Sequence, residues 1–272
     1  MLSNAQPELS EPGFKSKYTT ANLPEGASQY DPALFAQLFA KLQQAAPSES
    51  PDFIAALLSA MLCAQRRGDI VPTLFQEWTS KKTDAETEKT FIVIREAIGL
   101  IYAFVGLPNC IPACLGLVGE LHSRNIQIVE GRRRSDIEKK DWFESGRDTR
   151  LNIYNGVGNP EVHCMITTYF PDMAYINDVA VFGYLINGSL DIQTLENSEL
   201  IVAGAITAMG ATRQARSHCK ASIGVGNPVA LVSKVVEVAS EIAAWNRSPL
   251  PGAIVVSELA EELKANLAKL HR

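Results

Sequence analysis

The sequence predicts an all-α protein. Along nearly the whole chain, apolar residues recur with the i, i+3, i+4 spacing of a helix, and only odd short runs show the alternation of a strand. Ser50-Pro51 and Asn227-Pro228 each place a capping residue before a proline suited to a first helical turn, and Gly106-Leu107-Pro108 ends the helix before it. The predicted helices span residues 33–45, 52–66, 70–79, 86–105, 109–123, 137–154, 171–184, 198–209, 213–224, 229–245 and 257–270.

The composition is typical of a globular protein with a small-molecule ligand. Of the 272 residues, 46% are hydrophobic, which is ample for a core, and the net charge of -5 favours neither nucleic acid nor an anionic membrane as partner. The longest apolar run, residues 91–108, contains Arg95 and Glu96 and therefore predicts a buried helix rather than a membrane span. Five irregularly spaced cysteines without a secretion signal indicate a cytoplasmic protein with no disulfide framework.

The chain divides into five predicted segments. Residues 1–30, rich in Ser, Pro, Glu and Gly, predict a disordered arm rather than a signal peptide. Residues 31–130 and 151–254 are expected to form two helical units, and residues 255–272 a C-terminal helix. Residues 131–150 form a charged connector, which we interpret as a solvated helix; an anion-binding patch at its three consecutive arginines is the alternative.

The two helical units share a pattern. Asp52 and the residues after it align with Glu199 and the residues after it, at an offset of 199 − 52 = 147 residues. Identities are few, but each copy has an acidic residue, an apolar helix of small residues, a break and a polar second helix. Val71 in the first unit falls where the second has His218, so the pattern predicts an ionisable site in the second unit alone.

Glu199 and His218 are the residues best placed for chemistry. Glu199 opens an apolar helix that ends at Gly210, and His218 lies on the helix that returns from that break. At about 1.5 Å per residue, Glu199 is roughly 16 Å and His218 roughly 12 Å from the turn, so the two side chains are able to meet. A carboxylate beside an imidazole fixes its tautomer and raises its basicity, as a general acid/base requires. A purely structural pair has the same spacing, and the spacing alone does not separate the two.

The cysteines do not predict a second functional site. Cys110 and Cys114 lie on one helical face and are interpreted as structural, since no histidine at ligand spacing accompanies them; no metal site is predicted. Cys219 follows His218 directly and on a helix points about 100° away from it, so it is a poor nucleophile partner.

Residues 198–245, SELIVAGAITAMGATRQARSHCKASIGVGNPVALVSKVVEVASEIAAW, resemble the repeat of the carboxymuconolactone decarboxylase family. Glu199, Gly210, His218 and Gly226 match its acidic residue, helix break, histidine and turn. With a similar closing helix at residues 95–121, the resemblance covers roughly residues 50 to 250 and is nearest to a two-copy fungal branch. It implies a helical bundle of two degenerate repeats related to alkylhydroperoxidase D, assembled as a homo-oligomer.

The sequence departs from the family's peroxidase members. Those members place a Cys-x-x-Cys before the histidine, whereas this chain has Ala211 and Gln214 at the two cysteine positions. Dithiol peroxidase chemistry is therefore not expected. The chain resembles instead the decarboxylase-type members, which act on a lactone carboxylic acid without a cofactor.

The resemblance implies a cofactor-free lyase or isomerase with acid/base chemistry on a small carboxylated or phenolic metabolite, as in fungal secondary metabolism. His218 would deliver a proton and Glu199 would orient it. We expect the substrate to be bound by the polar side chains of Arg213, Gln214 and Arg216 and by the aromatic walls of Tyr154, Phe182 and Tyr184.

Three alternatives stay open at this point. The same pocket could shape a reactive biosynthetic intermediate for cyclisation, which needs little proton transfer. The protein could be a non-catalytic binding or assembly protein that lost the family's thiols. A residual thiol peroxidase using Cys164 or Cys219 is the third alternative.

Overall fold

The computed structural model describes residues 18–20, 23–128 and 131–270, and these residues form an all-α bundle without a strand. The first half contains α1 (Pro32–Ala45), α2 (Pro51–Ala64), α3 (Val71–Thr79), α4 (Asp84–Val105) and α5 (Leu107–Ser123). The second half contains α6 (Trp142–Tyr154), α7 (Pro160–Tyr169), α8 (Pro171–Ile176), a π-helix (Asn177–Ile186), α9 (Leu195–Ala208), α10 (Thr212–Gly224), α11 (Val229–Trp245) and α12 (Val256–Leu270). Short 3-10 turns lie at Ile137–Lys139 and Asn187–Ser189. The predicted fold class is confirmed.

Local side-chain capping explains the start of five of the described helices, α1, α2, α4, α6 and α9. The Ser50 side chain accepts the backbone N–H of Phe53, as predicted, and Thr83 forms a reciprocal capping box with Glu86. Helix α11 starts at Val229 as predicted, but its predicted capping residue, Asn227, was one position early. Pro228 occupies the cap position, and the Asn227 side chain instead donates to the carbonyl of Glu196 at 2.8 Å, which ties this turn to α9.

Helix α9 is the centre of the bundle. Its residues 198–208 are all buried, and it packs against α2, α4, α10 and α11. Gly204 permits this close approach, because a Cβ there would lie 2.9 Å from the Met61 side chain and 3.1 Å from that of Leu57, both on α2. The two predicted units therefore share one hydrophobic core, which fixes α10 and its histidine against the first half.

The chain between residues 137 and 186 differs from the prediction. The predicted helix 137–154 is broken into a 3-10 turn and α6, the predicted helix 171–184 continues as a π-helix, and α7 was not predicted. The backbones of α6 and the π-helix lie very close together, which accounts for part of this difference. A Cβ on Gly146 would overlap the Asp178 carbonyl oxygen, and one on Gly183 would overlap the Trp142 carbonyl oxygen, so both positions require glycine.

The interpretation of the connector as a solvated helix is wrong at Arg133 and Arg134. Arg133 and Arg134 both form ion pairs with Glu96 of α4, a side chain only 4% exposed. Arg134 also donates from Nε to the carbonyl of Tyr184 at 2.5 Å, and it hydrogen-bonds Ser189. A buried carboxylate needs such partners, so these arginines fasten the connector and the end of the π-helix to the first half.

Most of the predicted disordered arm, residues 1–17, 21 and 22, lies outside the described residues. Its C-terminal end contacts the bundle: Ser28 donates to the Trp245 carbonyl at 2.5 Å, and the Trp245 indole donates to the Gln29 carbonyl at 3.1 Å. Across the described ranges, no helix has both the length and the apolar character needed to cross a membrane.

Candidate functional site

The hairpin of α9 and α10 brings Glu199 and His218 into contact. Gly210 lies in the turn between the two helices and has a φ of 80°, a conformation that suits glycine. His218 Nδ1 lies 2.6 Å from Oε1 of Glu199, which is fully buried, whereas His218 is 6% exposed. Oε2 of Glu199 has no hydrogen-bond partner within the described part of the chain. Because a buried carboxylate is costly unless paired, His218 is the essential partner of Glu199.

Tyr154 of α6 contacts the other imidazole nitrogen. Its Oη lies 3.3 Å from His218 Nε2. Burial, together with the nearby charge of Glu199, raises the pKa of Tyr154 well above its ordinary value, so the phenol keeps its proton at neutral pH. A neutral His218 then accepts this O–H at Nε2 and donates Nδ1–H to Glu199. The three residues form a chain of hydrogen bonds from a buried carboxylate to a phenol.

Aromatic rings enclose the imidazole. Phe104 of α4 meets the His218 ring edge-to-face, with centroids 5.7 Å apart, and Tyr154 meets it at 5.8 Å. Phe182 of the π-helix packs against Tyr154 at 6.0 Å. These contacts hold both polar side chains in an apolar setting, where electrostatic interactions are stronger than in water.

His218 and Tyr154 open onto a cavity of about 920 Å³. Helices α4, α6, α7, α10 and α12 and the π-helix line it, so both halves of the chain contribute. Its volume is within the range of small-molecule sites, and its walls are mainly apolar. The apolar side chains that line it include Phe104, Leu151, Val162, Ile166 and Phe182.

Charged residues lie at several points of the cavity wall. Arg150 and Asp178 form a buried pair with 2.7 Å between Nε and Oδ1, so their charges neutralise each other. Arg213 is exposed at the wall and donates to the Ser217 hydroxyl at 3.1 Å. It has no carboxylate partner in the residues described. Lys269 of α12 adds a second exposed cation to the wall.

The structure brings together most of the residues selected from sequence. Arg213, Gln214, Tyr154, Phe182 and His218 line the cavity, and Glu199 lies behind His218.

Two of the predicted substrate-binding residues, one polar and one aromatic, do not line the cavity. Arg216 points toward α12, where its Nη2 is 2.9 Å from Glu262 Oε1. Tyr184 packs its ring on Trp142 at 5.3 Å, away from the cavity. Arg216 was predicted to bind the substrate beside Arg213, but its guanidinium is paired with the Glu262 carboxylate instead.

Several lining residues had no clear sequence signal. Phe104, Arg150, Asp178 and His163 reach the cavity from four elements, namely α4, α6, the π-helix and α7, through long-range packing. Ser217 is an exception, since it lies four residues after Arg213 and therefore shares its helical face.

The cysteines do not join the cavity. All five are free thiols. Burial raises the pKa of Cys219 to about 12, so it remains a protonated, poorly nucleophilic thiol near neutral pH. Among the described residues, no group of three or more His, Cys, Asp or Glu side chains is arranged to hold a metal ion.

Fold and site define a helical protein with a carboxylate–imidazole–phenol chain at the wall of an apolar cavity. No protein-family model, curated protein or solved structure matches this chain. Its function is therefore inferred from the site itself.

Proposed function

We propose that the protein is a cofactor-independent acid/base enzyme, a lyase or isomerase of the carboxymuconolactone decarboxylase-like kind. Its substrate would be a small carboxylated or phenolic metabolite, in a setting such as fungal secondary metabolism, and its reaction a decarboxylation, isomerisation or lactone rearrangement. The supporting observation is that a Glu199-backed imidazole presents its Nε2 side to a cavity large enough for such a molecule.

His218 is the proposed proton carrier. Its Nδ1 is held by Glu199 at 2.6 Å, which leaves Nε2 as the nitrogen facing Tyr154 and the cavity. A carboxylate at Nδ1 stabilises the imidazolium that forms when Nε2 takes a proton. Glu199 is thus a positioning residue, whereas His218 would contact the substrate.

Arg213 is the proposed anchor for a substrate carboxylate. It precedes His218 by five residues on α10, about 7.5 Å along the helix axis. Its guanidinium lies at the cavity wall without a carboxylate partner in the described ranges, so it is available to an anionic group. The apolar walls would bind the rest of the molecule.

The order of helices supports the proposed duplication. Helices α2 to α4 and α9 to α11 each form a run of three, beginning with an apolar small-residue helix. Asp52 is the second residue of α2 and Glu199 the fifth residue of α9, so both lie in the first turns of their runs. Asp52, however, binds Lys82 at 2.5 Å and Thr90 at 2.8 Å. We propose that the first copy kept the acidic position as a structural pair.

A cyclase that shapes a reactive intermediate is the second candidate. The extent of the apolar wall favours it, since a polyene or quinone methide needs shape and one hydrogen-bond donor. Such a reaction would depend little on proton transfer at His218.

One experiment distinguishes the acid/base enzyme from the cyclase. Lactone carboxylic acids, carboxylated phenols and carboxylated polyenes are incubated with the protein in D₂O, and products are followed by NMR and mass. For an acid/base enzyme, His218→Gln should lower turnover at least 100-fold, within the usual range for general acid/base groups, and Glu199→Gln should lower it less. His122→Gln, an exposed histidine of α5 outside the cavity, is the control. Equal turnover by His218→Gln and the control would contradict the acid/base proposal.

A homo-oligomer is part of the proposal. Helices α7 and α8 have no buried residue, and seven large apolar side chains between residues 162 and 176 are exposed. This surface also supports the remaining alternative, a binding or assembly protein without activity. The expected cytoplasmic location stays a prediction.

A further inference from the structure

Two groups of different chemistry face the cavity side by side. Tyr154 Oη and His218 Nε2 are 3.3 Å apart, and both side chains line the cavity wall. One is an O–H donor and the other a nitrogen base. Arg150, whose charge also acts on Tyr154, is paired with Asp178 at 2.7 Å, so it does not compete for this position.

The phenol is suited to donate a hydrogen bond without giving up its proton. Burial keeps the pKa of Tyr154 high, and Phe182 packs against its ring. A donor fixed in an apolar site stabilises a developing oxyanion strongly, because no solvent has to reorganise around it. Tyr154 therefore has the properties of an oxyanion-binding group.

The spacing of the two groups fits one class of molecule. In a carbonyl compound, the oxygen and the α-carbon are about 2.4 Å apart, given bonds of about 1.23 and 1.52 Å. When a substrate carbonyl binds, the Tyr154 O–H turns from His218 Nε2 to the carbonyl oxygen. This frees Nε2 as a base and places the α-carbon, or the bond to an α-carboxylate, beside it.

We propose that Tyr154 is a catalytic residue that donates a hydrogen bond to the substrate carbonyl oxygen, and that the substrate is an enolisable carbonyl compound. This rests on the proposed acid/base function and names its substrate class. In the forward step, His218 Nε2 takes the α-proton, the C–H electron pair becomes the C=C bond, and the carbonyl π pair moves to the oxygen bound by Tyr154. In a decarboxylation, the C–C pair forms the same enolate as carbon dioxide leaves, and His218, after taking a proton from solvent water, delivers that proton to the carbon. Both routes are redox-neutral.

The first test measures binding of an enol mimic. 2-Naphthol, which presents a planar ring and one enol-like O–H, is titrated by fluorescence beside naphthalene, which lacks the oxygen. We expect wild type to bind 2-naphthol at least tenfold more tightly than naphthalene. Tyr154→Phe should lose that preference but should bind naphthalene as tightly as wild type does. The unchanged naphthalene affinity would show that the cavity is intact. Tyr102→Phe, an exposed tyrosine of α4 outside the cavity, is the matched control. An unchanged preference in Tyr154→Phe, or no binding of 2-naphthol by wild type, overturns the proposal.

The second test measures enolisation directly. 2-Tetralone, an enolisable ketone of similar size, is followed by NMR for exchange of its α-protons in D₂O. We expect wild type to accelerate exchange, and both Tyr154→Phe and His218→Gln to slow it at least tenfold. Exchange that needs His218 but not Tyr154 overturns the role of Tyr154. Turnover of the carboxylated panel without any exchange of 2-tetralone overturns the enolisable substrate class while the acid/base function stands.

Discussion

The ring of His218 packs edge-to-face against Phe104, with ring planes at 84°. Phe104 lies near the C-terminal end of α4 in the first half, and His218 lies on α10 in the second. One wall of the cavity therefore comes from the first half of the chain, and the imidazole comes from the second half. Both halves of the chain thus contribute to the surroundings of His218.

Replacing Phe104 by Ala should weaken both stability and function. The ring is half-buried, so we expect a loss of about 2 kcal/mol in the free energy of unfolding, below the usual cost for a fully buried Phe. Turnover of the carboxylated panel should also fall, because the imidazole loses a packing partner. Urea denaturation of Phe104→Ala beside Tyr102→Ala, an exposed neighbour on α4, measures the first effect. Equal stability of the two variants would contradict the packing role.

Replacing Gly146 by Ala should disrupt the region that carries Asp178 and Phe182. The added methyl group would overlap the backbone of the π-helix, so we expect a loss of more than about 3 kcal/mol. Gly99→Ala is the matched control on α4, where a Cβ meets no atom within 4 Å. There, alanine should stabilise the helix by about 0.5–1 kcal/mol. Thermal unfolding of both variants is the measurement, and comparable stability would show that the close backbone approach is relaxed in solution.

Local signals in the sequence account for much of the fold. Ser50 caps α2 through a contact three residues away, and α11 spans Val229–Trp245 as its periodicity predicts. Glu199 and His218 were also predictable as neighbours, since a tight helical hairpin relates positions at similar distances from its turn.

Features set by long-range packing were not predictable. The contact between Phe104 and His218 joins residues 114 positions apart in the chain, counted as 218 − 104. The π-helix depends on the fit between Gly146 and the backbone at Gly183, which no local pattern encodes. The direction of Arg216 depends on Glu262 of α12, a partner that the spacing of arginines does not reveal.

Thiol labelling should follow burial. Cys164 is exposed on α7, whereas burial raises the pKa of Cys219 to about 12 and that of Cys114 to about 11. At pH 8 almost no thiolate forms at Cys219 or Cys114, so iodoacetamide should modify Cys164 well before either of them. Mass spectrometry of partially labelled protein is the readout. Rapid labelling of Cys219 would instead favour the thiol peroxidase alternative.

The apolar surface of α7 and α8 should control self-association. Tyr169 is 74% exposed and Phe170 is 53% exposed, and neighbouring side chains extend the same surface. If it joins copies of the chain, wild type should have a mass above the 29.6 kDa of one chain by light scattering. The double variant Tyr169→Glu, Phe170→Glu should then be monomeric, whereas Ile137→Glu, on another exposed apolar residue, should not change the mass. A monomeric wild type would contradict the oligomer proposal.

Alkaline pH should weaken the fold through Tyr154. Its pKa is raised in the folded state by burial and by the charge of Glu199, from an ordinary value of 10.0 in the unfolded chain. The unfolded state therefore releases this proton first, so the contribution of Tyr154 is complete below about pH 10 and is lost as pH rises above it. The difference in free energy of unfolding between wild type and Tyr154→Phe should be constant from pH 7 to 9. Above pH 10, wild type should lose stability relative to Tyr154→Phe. Urea denaturation at each pH measures that difference, in which the effects of the other tyrosines cancel. A difference that stays constant to pH 11 would mean that Tyr154 ionises as freely in the folded protein as in the unfolded chain, which is incompatible with a buried phenol beside a carboxylate.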